Sequence, residues 1–151
     1  MKHRIDVHAS GKHRAAMPHL VVKNAADAIA FYERAFGAER VECLSCYGRI
    51  GQAELRIAGA RVRLSDEYPE TGMLSPQSFG GSPSRVVLRV PEAHRLLGKA
   101  VATGAKLRTA MTGTRAGRLV DPFGHIWDIS PPRGKEAGKP SKRKGSRRSA
   151  R

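Results

Sequence analysis

Acidic residues are scarce in this chain: 13 aspartates and glutamates face 28 lysines and arginines across 151 residues, a formal charge of +15. The excess is not spread evenly. Residues 133–151, "RGKEAGKPSKRKGSRRSAR", hold nine basic residues and one acid, and residues 1–15 hold four and one. Both stretches have almost nothing to bury, so they read as a flexible basic N-terminal segment and a disordered basic tail. No aromatic residue is interleaved in the tail, which argues for solvation, or for weak nonspecific nucleic-acid contact, over specific base readout.

Long apolar runs are missing as well. No stretch approaches the roughly 20 residues of a membrane helix, and "MKHRIDVHASGKHRAAMP" has no apolar core of a secretory signal. No membrane association and a cytoplasmic location are therefore expected. Cysteine is nearly absent. Cys43 and Cys46 form a CxxC in a strand-like stretch without a second pair or a nearby histidine. Two reduced thiols are the plain reading, with redox or zinc duty as the weaker one. Nucleotide and nucleophile motifs are missing too: there is no GxSxG, Walker loop or GxGxxG.

What remains, residues 16–132, is large enough for one core and contains a repeat. In "NAADAIAFYERAFGAERV", Asn24 is a good N-cap and Gly37 a helix-ending glycine. Ala28, Ile29, Phe31, Tyr32, Ala35 and Phe36 keep helical spacing between them. In "PEAHRLLGKAVATGAKL", Pro91 suits a start, Leu96, Leu97, Ala100 and Val101 keep the spacing, and Gly104 ends it. One strand-like run precedes each helix, "HLVVK" and "RVVLRV". Three follow each: "RVECLSCY", "GQAELRIA" and "RVRLSD" in the first half, "KLRTAM", "GRLVD" and "HIWDIS" in the second. Each half reads β-α-β-β-β, and "EYPETGMLSPQSFGGSPS" joins them. An α+β fold follows, with the two halves pairing because neither buries its sheet alone.

Two such units, together with "AIAFYERAFGAE", "LSDE", "GGSP", "TGAKL" and "RLVDPFGHIWDI", resemble the vicinal oxygen chelate superfamily of glyoxalase I, bleomycin-resistance proteins and extradiol dioxygenases. Within it, the strings are similar to the glyoxalase-like branch associated with phosphonate operons and the demethylubiquinone-type domain. The resemblance covers about residues 16–130. It implies a half-open, cupped mixed sheet, with helices on the convex side and a ligand cavity on the concave side.

Strand side chains alternate between faces, so the concave side can be read. Ala53, Leu55 and Ile57 pack, which turns Gln52, Glu54 and Arg56 the other way. By the same rule Arg61 and Arg63, Arg85, Val87 and Arg89, and Ile126 and Asp128 face the cavity. Metal-dependent relatives hold a divalent ion there with four ligands. Carried over, those positions fall near Met17 (two residues before His19 on the same face), on Arg63, on Arg85 or Ser84, and on Asp128. Arginine has no lone pair to offer and a methionine thioether suits hard ions poorly, so no metal cofactor is expected.

Three readings stay open for this face. Arg63 and Arg85 bind an anionic small molecule, helped by Arg56, Arg61 and Arg89. Alternatively the arginines pair with Glu54 and Asp128 in an internal network. Or His19, Glu54 and Asp128 form a shifted metal site. Arg115 in "GTRAG" lines the cavity mouth or is simply exposed, and His125 is a turn residue bonded to backbone. The functional classes are a binding or sequestering protein and, as the alternative, a metal-dependent lyase, isomerase or dioxygenase. A homodimer with a shared cavity is what the resemblance implies.

Overall fold

The computed structural model describes residues 16–133. The N-terminal segment 1–15 and the tail from 134 onward lie outside the described residues. The first half runs β1 (His19–Val22), α1 (Ala25–Phe36), β2 (Glu39–Cys46), β3 (Arg49–Ile57) and β4 (Ala60–Asp66). After a short helix α2 (Pro76–Phe79) the order repeats as β5 (Arg85–Arg89), α3 (Ala93–Thr103), β6 (Lys106–Thr109), β7 (Gly117–Val120) and β8 (Ile126–Ser130).

The two halves have the same wiring. Each forms a four-stranded mixed sheet, in the orders β1-β4-β3-β2 and β5-β8-β7-β6. In each, the first strand joins the last in parallel and the rest are antiparallel. The α+β fold of paired βαβββ units is as expected, and among the described residues its two mixed sheets are open, with no ladder between them. The helices cover one face of each.

Local chemistry accounts for the helix ends. The Asn24 side chain accepts a hydrogen bond from the Asp27 amide at 3.1 Å, and Gly37 closes α1 at φ +63°, a region that favours glycine. Helix α3 starts at Ala93, two residues after Pro91, with Glu92 at its cap and no side-chain bond there.

Seven of the twelve α1 residues are buried, more than one apolar stripe requires. The reason is that α1 packs on both halves. Phe36 and Tyr32 stand 4.6 and 5.6 Å, centroid to centroid, from Trp127 of β8. Tyr32 also donates to the Asp121 carboxylate at 2.6 Å, and Trp127 Nε1 donates to the same oxygen at 2.9 Å. The other Asp121 oxygen accepts from the amides of Phe123 and His125. Burial and the neighbouring Asp121 carboxylate push the Tyr32 phenol well above its ordinary value, which keeps it a donor at working pH.

The joining segment is ordered around polar caps. Glu67 accepts from the Ser75 amide and the Ser78 hydroxyl, and Ser75 in turn caps α2. Pro76 of this helix lies against the "DPFGH" turn, where Gly124 sits at φ +89°.

Candidate functional site

Each sheet turns one face away from the helices, and most of the residues expected to face a cavity lie there. On the first sheet, cross-strand register sets His19 opposite Arg63, Arg63 opposite Glu54, and Glu54 opposite Glu42. Gln52 and Ser65 occupy the next row, and Arg56 and Arg61 face each other beyond Glu54. His19 Nε2 lies 2.8 Å from the Ser65 hydroxyl. Arg56 reaches Glu39 at 3.0 Å on the exposed edge.

Glu54 is almost fully covered although it stands on the open face. Its Oε1 lies 2.8 Å from Arg61 Nη1, an ion contact without the alignment of a hydrogen bond. Arg63, opposite Glu54, likewise has a buried Nε with no hydrogen-bond partner among the described residues. Burial, and after it the charge of Arg63, lower the pKa of His19 from its ordinary 6.5. Unfolded His19 therefore takes up its proton at higher pH than folded His19. The stability it contributes is whole above about pH 6.5 and is lost as pH falls toward the folded value. Melting temperatures between pH 8 and 5 are expected to decline through this window, and His19→Gln should flatten the decline. An identical slope in the variant would contradict the assignment.

On the second sheet Asp128 is the centre. Arg118 grips it with two bonds, Nε to Oδ1 at 2.7 Å and Nη2 to Oδ2 at 3.2 Å, and Arg85 Nη1 adds a third at 3.3 Å. The hydrogen bonds and the charge of Asp128 raise the Arg118 pKa further. The internal network weighed from the sequence is thus present for Arg85 and Asp128 and, as an ion contact, for Arg61 and Glu54. Arg118 was not among the expected residues. Its signal was available: "GRLV" and "HIWDIS" flank a tight turn, and their antiparallel register sets Arg118 beside Asp128.

The remaining expected residues are placed as follows. Met17 is half-buried ahead of β1, and Ser84 is exposed ahead of β5. His125 is buried in the β7–β8 turn, its Nε2 2.9 Å from the Val21 carbonyl; this is the backbone-bonded turn residue expected, and it ties the second half to β1. His19, Ser84 and His125 line a cavity of about 200 Å³ at this seam. A cavity of about 530 Å³ lies elsewhere, near the ends of α1 and α3. Cys43 and Cys46 are exposed free thiols. Among the described residues no three His, Cys, Asp or Glu side chains gather to hold a metal ion, and His19 and Glu54 lie on a different sheet from Asp128. No helix among them is long and apolar enough to cross a membrane.

Known proteins share this architecture. The product of an Arabidopsis thaliana gene is 27% identical, with a TM-score of 0.59 over 78% of this chain and 96% of that one. The fosfomycin resistance protein FosX from Listeria monocytogenes is 17% identical, with a TM-score of 0.62 over 87% and 98%, a likeness of fold alone. By sequence, an uncharacterised Mycobacterium bovis protein is 38% identical over 126 residues, 78% of this chain and 83% of that protein. An uncharacterised Mycobacterium tuberculosis protein matches at the same identity over 74% of its length. A family model matches residues 11–129. With the paired βαβββ units and this match, the chain belongs to the Glyoxalase/Bleomycin resistance protein/Dioxygenase superfamily.

Proposed function

We propose that this protein binds a small anionic molecule on its open sheet faces, without a resident divalent metal, and that a second copy closes the cavity. One observation carries the reading. Asp128, the one good donor among the expected ligand positions, is engaged by two guanidinium groups, while the buried Nε of Arg63 has no partner among the described residues. A divalent ion would have to displace Arg118 and tolerate Arg63 and Arg85, which repel it and cannot ligate it. An anion meets the opposite field, and a guanidinium fork suits its oxygens.

Apolar side chains left in water support the second copy. Leu44 stands opposite Gln52 and so on the first open face, 54% exposed, and Val87 on the second is 58% exposed. Each lies on an open sheet face, where a second copy would cover it. A cytoplasmic location, read from the sequence, belongs to the same proposal.

The alternative is a metal-dependent enzyme, and it draws on FosX, which has been crystallised with Mn(II) and sulfate. Metal analysis of the purified protein separates the two. The expected content of nickel, zinc, manganese and iron is far below one per chain, and light scattering is expected to give a dimer mass. Stoichiometric metal that survives dialysis would restore the enzyme reading.

A further inference from the structure

Three arginines gather at one end of the second open face. Arg89 lies on β5, opposite Ser130 of β8. Arg115 is held in the turn before β7, where its amide donates to the Thr112 carbonyl at 2.9 Å. Arg133 follows the Pro131-Pro132 step after β8. With Thr114, Asp128 and Ser130 they line a cavity of about 380 Å³.

The charges there are unbalanced. Seven arginines elsewhere in the described chain pair with a carboxylate, and Arg89, Arg115 and Arg133 are not among them. Asp128 is the one acid on the lining, and Arg118 and Arg85 already engage it. Three cationic forks are thus left facing one concavity, with two hydroxyl side chains between them.

We infer that this cavity binds the phosphate group of a small phosphorylated molecule. Resting on the anion-binding reading above, the inference names the ligand class and the residues that hold it. Guanidinium forks match tetrahedral oxyanions with paired hydrogen bonds. Attraction to three cations grows with ligand charge, which favours a di- or trianion over a monocarboxylate. The volume sits at the small end of the roughly 300–1,000 Å³ range of ligand sites, which suits a metabolite rather than a polymer.

Calorimetric titration of the full chain with pyrophosphate, in about 0.15 M salt, tests it. Arg89→Met and Arg115→Met are each expected to weaken binding about tenfold or more. Both side chains are exposed and pair with no carboxylate among the described residues, so melting temperatures should hold. Arg34→Met, on the exposed last turn of α1, should leave the affinity unchanged, and acetate should bind at least about tenfold more weakly than pyrophosphate. Unaltered affinity in both Arg89→Met and Arg115→Met overturns the inference. A loss confined to Arg63→Met overturns this cavity too, while leaving anion binding on the first sheet intact. If wild-type protein takes up no pyrophosphate, the phosphate site is refuted.

Discussion

Asp121→Ala is expected to lower stability by about 3–5 kcal/mol. The carboxylate is 4% exposed and accepts four hydrogen bonds. Removing it strands the Tyr32 hydroxyl, the Trp127 indole N–H and the amides of Phe123 and His125 without their acceptor. One unmet buried donor costs about 1–3 kcal/mol. The four do not add fully, because a water entering the vacated space can satisfy some of them. A domain of this size has roughly 5–15 kcal/mol in total, so a large share would go. Thermal unfolding followed by circular dichroism should show a melting temperature lower by roughly 12–20 °C. Tyr32→Phe removes one of the four bonds and keeps the ring, so it should cost only about 1 kcal/mol. Equal effects from the two changes would mean that the carboxylate is not the common acceptor described here.

Gly124→Ala should cost about 2–5 kcal/mol, from two separable sources. At φ +89° a residue with a Cβ is strained whatever its surroundings, by roughly 1–2 kcal/mol. The new Cβ would also stand 2.9 Å from Pro76 Cβ. Pro76 is buried, and its ring cannot rotate aside as a flexible side chain would. Relief requires moving α2, at a typical overpacking cost of about 1–3 kcal/mol. Gly113→Ala is the internal control, with φ +56° and nothing within 4 Å of its new Cβ. It should show the backbone cost alone. Urea unfolding of both variants decides the matter: equal losses would remove the crowding against Pro76.

Most of the strand pattern was legible because each sheet has one buried face. With period two, Ala53, Leu55 and Ile57 announce the inner side of β3, and Gln52, Glu54 and Arg56 follow from them without further information. The ends of α1 were equally readable, since an N-cap and a left-handed glycine act within a few residues. The start of α3 was less so: Pro91 fits a first turn, yet the helix begins at Ala93, and no capping side chain marks that boundary.

Partners were harder to read than faces. The sequence showed that Asp128 shares a side with arginines, but not which guanidinium takes its oxygens. Arg118 does so from the adjacent antiparallel strand, in direct register, and Arg85 reaches it from the parallel neighbour on its other side. A flexible arginine can serve several carboxylates from one backbone position, so alternation alone cannot choose among them. In "DPFGH" the sequence drew attention to the turn residue His125 and gave no role to Asp121. Its main side-chain donor, Tyr32, lies 89 positions earlier.

The sequence by itself determined the twofold repeat, the strand faces, the caps of α1 and the family, because these depend on patterns a few residues long. Tertiary structure decided that no ladder joins the two sheets among the described residues, and that Asp121 becomes the buried hub shared by Tyr32 and Trp127. Those outcomes depend on which groups meet across long separations. Such meetings follow from packing both halves against α1, which no local pattern encodes.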